Sequence, residues 1–238
     1  MRTLVIGLSL PSVDFDNYSF LNAPSFAEYH QIVIDGATVG RCVSDVTSGN
    51  AAHSTFGGQA IVNGPASPYA FSLRALLEMR QRETEWVLSH GGIIVLMSSA
   101  HVTQPDIEGT TWRSYDWLPA AEAFSHETDL PAGFGKPGAV LVDLDHPFAP
   151  YIQQLAPHVA YRIYLNEAGE GARNCHVFAR SSGGQAIAFE RPLSGGTLIV
   201  LPPLLKPDQE RPRTAAALTD CLTRWQERAR IQTKEEIA

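Results

Sequence analysis

The apolar run Ile93 to Met97, IIVLM, stops abruptly at Ser98, Ser99, Ala100 and His101. A hydroxyl at a strand end with an imidazole nearby is the raw material of a nucleophile and its base. The sharp strand-to-helix turn that activates such a serine needs small neighbours in a G-x-S-x-G pattern. For Ser98 those glycines would stand where the chain has Leu96 and Ala100, and Ser99 follows no glycine either. Ser98 and Ser99 are therefore expected to close the strand and hydrogen-bond locally. No catalytic residue is assigned; a hydrolase using Ser98 or Ser99, with His101, is the alternative. Asp143-Leu144-Asp145-His146 is a second candidate. Two carboxylates and an imidazole suit Mg²⁺ or Mn²⁺, and in an extended strand Asp143 and Asp145 share a face. The same residues before Pro147 also make a good turn and helix cap. No metal is assigned, and a metal at Asp143, Asp145 and His146 is again the alternative. Trp112, Tyr115 and Trp117 crowd one stretch, TTWRSYDW. They read either as rings pinning a loop to the core or as a partner surface, and are carried as interaction candidates. His30, His53, His90, His126, His158 and His176 are scattered and suggest no ligand set.

The elements that must hold these residues alternate between strand and helix. TLVIGL near the start, QIVIDG, IIVLM, GAVLVDLD and TLIVL are continuous apolar runs. Such runs suit strands buried on both faces of a mostly parallel sheet. Residues 68–90 carry Leu73, Leu76, Leu77, Thr84, Val87 and Leu88 at helical spacing and stop at Gly91-Gly92. PYIQQLAPH predicts a short helix, and residues 214–231 predict a last one with Leu218, Cys221, Leu222 and Trp225 on one face. Residues 176–201 hold three short runs separated by Gly-Gly turns, a β-meander. Residues 43–68 and 103–137 lack periodicity and read as irregular excursions.

The expected fold is α/β, a three-layer sandwich with a mostly parallel central sheet and an antiparallel C-terminal meander. It forms a single domain over 1–238, with 232–238 as a frayed tail. Ligands of open parallel sheets sit beyond the carboxyl ends of the strands. On that rule Asp14, Asp16, Asp35, Ser98, Ser99, His101 and Asp143 are grouped as candidate ligand-binding residues, drawn from four strand ends.

The chain of 238 residues has a net charge of −7, which argues against binding a nucleic-acid backbone directly. Three cysteines, none in a C-x-x-C pair, argue against a disulfide framework or a zinc cluster and for a reducing compartment. No signal peptide or membrane span is expected, so a cytoplasmic protein is. No glycine-rich turn opens a helix, so no nucleotide cofactor is expected.

Three stretches resemble the class I glutamine amidotransferase-like, flavodoxin-like fold. HQIVIDGA is similar to its second strand. EWVLSHGGIIVLMSSAHV is similar to the helix and strand that lead to its nucleophile. ARSSGGQAIAFERPLSGGTLIVLPPL is similar to the late hairpin of its non-catalytic relatives. Family amidotransferases carry a cysteine in G-x-C-x-G after the third strand and an H-x-E pair near the end. Here Ser98 and Ser99 stand in the first place and LPPLLKP in the second. The resemblance implies a catalytically silent relative, a sensor, ligand-binding module or adaptor in a larger assembly. Its partner would be a protein or a small molecule.

Overall fold

The computed structural model describes residues 2–10, 12–38, 42, 52–56, 59–64, 68–98, 103–107, 110–111, 117–119, 124–126, 138–155, 163–203 and 211–237. Its strands are β1 (Thr3–Ile6), β2 (Phe15–Tyr18), β3 (Gln31–Asp35), β4 (Ala52–Phe56), β5 (Gln59–Gly64), β6 (Ile93–Met97), β7 (Thr103–Ile107) and β8 (Thr110–Thr111), followed by β9 (Phe124–His126), β10 (Ala139–Leu141), β11 (Ile163–Leu165), β12 (His176–Ser181), β13 (Ala186–Leu193) and β14 (Gly196–Leu201). Helices among the described residues include α1 (Pro68–Ser89), α2 (Ala149–Leu155) and α3 (Arg211–Ile237).

Eight strands form the main sheet in the order β10-β12-β13-β14-β6-β3-β1-β2. The run from β14 to β2 is parallel throughout. The run from β10 to β14 is antiparallel. Alternation along each strand builds a core on both faces. Leu4, Ile6, Ile32, Ile34, Ile94, Leu96, Leu198 and Val200 point to the side covered by Leu73, Leu77, Val87 and Leu88 of α1. Val5, Val33, Val95, Met97, Ile199 and Leu201 point to the side covered by Tyr151, Ile152 and Leu155 of α2 and Leu218, Cys221 and Leu222 of α3. This is the expected α/β sandwich, and β14 lies inside the sheet between β13 and β6.

Gly91, at φ 75°, ends α1 in a backbone conformation that side-chain-bearing residues resist. A Cβ on Gly196 would lie 2.4 Å from Gly92 O, so only glycine lets β14 start this close to the end of α1.

Three expectations are corrected. The stretch after β1 is not a plain crossover: Phe15–Tyr18 adds β2 as a parallel edge strand beside β1. GAVLVDLD is not a buried strand. Its ordered part, β10, is the opposite edge and pairs antiparallel with β12, and Val140, Val142 and Leu144 are exposed. The two excursions hold strands among their described residues: β4 pairs antiparallel with β5, and β5 pairs parallel with β7 in a second sheet, β4-β5-β7-β8. Helix α3 runs to Ile237. No helix among the described residues is long and apolar enough to cross a membrane.

Candidate functional site

The carboxyl ends of β1, β2 and β3 open onto a crevice of about 330 Å³, lined by Gly7, Tyr18, Ser19, Phe20, Leu21, Thr38 and Cys42. Strand order explains its position. The chain leaves β1 for β2 on one side, and β3 and β6 build on the other. The connections diverge there and leave a gap above the sheet. The chain that follows the lining residues Phe20 and Leu21 is held by a buried side chain of α1. The buried Arg80 guanidinium donates to Ala23 O at 2.6 Å, Pro24 O at 2.9 Å and Glu83 Oε2 at 2.6 Å. Trp117 packs edge-on against Phe20, with ring centroids 5.6 Å apart.

The described residues of the group drawn from the four strand ends, Asp14, Asp16, Asp35, Ser98 and Asp143, do not share one site. Asp35 ends β3 at the carboxyl edge, where its Oδ1 accepts from Ala37 N at 3.1 Å and caps the following turn. Ser98 follows β6 at the same edge. Its backbone N donates to Leu201 O at 2.8 Å, but its hydroxyl is buried and finds no partner among the described residues. The local hydrogen bond expected of this side chain is absent there. Asp14 and Asp16 lie at the opposite, amino edge, because β2 runs parallel to β1 and pairs Phe15 with Thr3. Asp143 lies beyond the end of β10, on the antiparallel flank. Ser99, His101, Trp112 and Tyr115 lie outside the described residues. Trp117 is 1% exposed and packs in the core.

Asp16 has a structural role. Arg2 Nη2 lies 2.6 Å from its Oδ2, and Tyr29 OH donates to the same oxygen at 3.0 Å. The Arg2 guanidinium holds this carboxyl below its ordinary range. Burial, followed by donation to Asp16, pushes the Tyr29 phenol up to about 12.

Among the described residues, a cluster of ionisable groups gathers on the meander. Asp143, His146, His176 and Glu190 meet there. His176 starts β12 directly opposite Glu190 of β13, so both side chains share a face. His146 Nε2 is 3.4 Å from Glu190 Oε2, His176 Nδ1 is 3.6 Å from Glu190 Oε1, and His176 Nε2 is 3.2 Å from Asp143 Oδ2. The His146 ring is buried and stacks on Phe178 at 3.7 Å, with Phe148 and Trp225 tilted against it. Burial alone would raise the Glu190 carboxyl, but hydrogen bonds and charge from the two imidazoles outweigh it and hold the group below its ordinary value. Asp145 is exposed and takes part through its backbone, whose N donates to Asp143 Oδ1 at 3.0 Å.

His176 and Glu190 are not among the sequence candidates. The turn at Ser182-Gly183-Gly184 marks the hairpin that joins them, but two register shifts lie between that turn and the pairing of residue 176 with 190, so the sequence signals the hairpin and not the pair.

No family model matches the sequence, and no curated protein sequence matches it. Among solved structures, the cytoplasmic protein STM1381 of Salmonella typhimurium LT2 superposes with a TM-score of 0.51 at 14% identity, over 94% of this chain and 98% of that one. A GMP synthase homologue of Thermoplasma acidophilum superposes with a TM-score of 0.44 at 8% identity, over 96% of this chain and 98% of that one. The likeness to the Salmonella protein is one of fold, and it extends over nearly the whole chain.

Proposed function

We propose that this chain is a non-enzymatic ligand-binding or adaptor domain of glutamine amidotransferase-like fold, lacking the Cys-His-Glu triad and serving in a larger assembly. The observation that carries this reading is Ser98. It stands where the resemblance puts the nucleophile, yet its hydroxyl is sealed from solvent and unpartnered among the described residues. An attacking hydroxyl needs a base within hydrogen-bond reach and a path to the substrate. Two of the thiols are equally quiet: burial raises Cys175 and pushes Cys221 up to about 11, which disfavours the reactive thiolate.

The crevice at the ends of β1 to β3 is the ligand site in this reading. Its lining is uncharged, with hydroxyls at Tyr18, Ser19 and Thr38 among apolar side chains, and so suits a small neutral molecule. The exposed Met79 and Trp86 of α1, beside a groove of about 450 Å³, support an adaptor role.

The test is a melting-temperature screen of wild type and Thr38→Leu against neutral metabolites, run beside esterase and amidase panels. Compounds that stabilise wild type but not Thr38→Leu are expected, with no turnover. Turnover abolished by Ser98→Ala would overturn the reading.

A further inference from the structure

We propose that His146, His176 and Glu190 bind one first-row transition-metal dication of the zinc class, with Asp143 holding His176 in its ligating tautomer. The ligating atoms of the three residues all lie within 4.8 Å of one another. Four ligands about 2.1 Å from a tetrahedral zinc stand about 3.4 Å apart. His146 Nε2 lies 3.4 Å from Glu190 Oε2 and His176 Nδ1 3.6 Å from Glu190 Oε1, so both histidine–carboxylate separations are near that value, and the two rings draw together to share one ion. Two imidazoles and one carboxylate favour zinc, cobalt or nickel, whereas magnesium and calcium prefer all-oxygen sets.

The surroundings supply what a bare cluster lacks. A ligating histidine characteristically donates its other ring N–H to a carboxylate. Asp143 Oδ2, 3.2 Å from His176 Nε2, is placed to accept it, which leaves Nδ1 free to face Glu190. The stack on Phe178 and the tilted rings of Phe148 and Trp225 fix the plane of His146. At rest His146 Nδ1 accepts from Phe148 N at 3.3 Å. Ligation through Nε2 moves the ring proton to Nδ1 and gives up this long contact. The turn keeps its shorter bond, Ala149 N to His146 O at 2.8 Å. His176 is 47% exposed, which gives an ion a way in and leaves a fourth position for water. Asp145, adjacent in sequence, is not a ligand.

This inference is independent of the crevice. The full chain, stripped with a chelator, is titrated with Zn²⁺ and with Co²⁺ by calorimetry, visible absorption and thermal melting. One ion per chain, tetrahedral cobalt bands and a higher melting temperature are expected. His176→Ala and Glu190→Gln should each weaken zinc binding more than ~10-fold, and Asp143→Asn by about 10–100-fold. Asp145→Asn and His90→Ala should bind like wild type, and excess Mg²⁺ should not compete. His176 is half-exposed, so His176→Ala should stay folded, which melting of the stripped protein checks. No zinc binding by wild type at micromolar concentration, or equal affinity in wild type, His176→Ala and Glu190→Gln, would overturn the proposal.

Discussion

At the carboxyl edge of the parallel strands the crevice is uncharged and the strand-end serine is shut away. On the antiparallel flank two imidazoles and two carboxylates crowd one face. The fold rule for open sheets therefore finds the cleft in this molecule but not the charges. A reversal of strand order opens a gap whatever lines it. An antiparallel hairpin instead forces opposite residues onto one face, so a histidine and a glutamate set at the right counts from a turn must meet. The two regions answer to different parts of the sequence, and β14, bordering β6 on one side and β13 on the other, joins them.

The largest expected effect comes from breaking that junction. Ile199 is fully buried, level with Val95 of β6 and Glu190 of β13. Ile199→Asp puts an unpaired carboxylate into the core and should cost more than about 4 kcal/mol, a large share of a domain's stability. Insoluble or unfolded protein is expected. Ile199→Val, which keeps the shape and loses one methyl group, should remain folded and lose about 0.5–1.5 kcal/mol in denaturant titrations. A soluble Ile199→Asp protein with an unchanged melting temperature would mean that the two halves do not share this strand.

Legibility in the sequence follows the same division. Strands β1, β3, β6 and β14 are readable because a strand covered on both faces must be apolar throughout. The polar FDNY of β2 conceals a strand, because an edge strand exposes much of its surface and loses that signature. AVLV around β10 misleads in the opposite direction, its valines lying exposed on the other edge. Nearness to an apolar run, which groups the candidate aspartates, says nothing about strand direction. Asp16 falls at the amino edge because its own neighbours form a parallel strand. The meander is legible as three strands, but composition and spacing alone leave its register open, and His176 looks like one more scattered histidine. Its partners, His146 across the chain and Glu190 across the hairpin, depend on tertiary packing and on that register.

A smaller effect separates the amino edge from both sites. Tyr29 is 7% exposed, and its phenol, pushed up to about 12 from 10.0, is held protonated by burial and by its bond to Asp16. A group whose folded pKa is raised stabilises the fold fully below its unfolded value. That contribution is lost as pH rises through the folded value. Stability should therefore fall between about pH 10 and about pH 12. Tyr29→Phe has no proton to lose, so its stability should vary less with pH across that window, though it starts lower for want of the Asp16 bond. Urea midpoints at three alkaline pH values distinguish the two. Parallel curves for wild type and Tyr29→Phe would show that the alkaline loss comes from elsewhere.

The smallest effect, and the sharpest for the comparison, is Ser98→Ala. Its hydroxyl is buried without a partner among the described residues at the end of β6, while the backbone N–H keeps its bond to Leu201 O in either residue. An unsatisfied buried hydroxyl costs about 1–3 kcal/mol, and removing it leaves a void no larger than one oxygen atom. The balance favours alanine by about 1 kcal/mol, or about 2–4 °C in melting temperature for a chain of this size. A catalytic serine would also gain stability on removal, but activity would vanish with it, so melting and the hydrolase panels are read on the same preparation. A melting temperature lowered by several degrees would mean that the hydroxyl has a partner in solution. The carboxyl edge would then hold polar chemistry of its own, and the contrast with the meander would narrow.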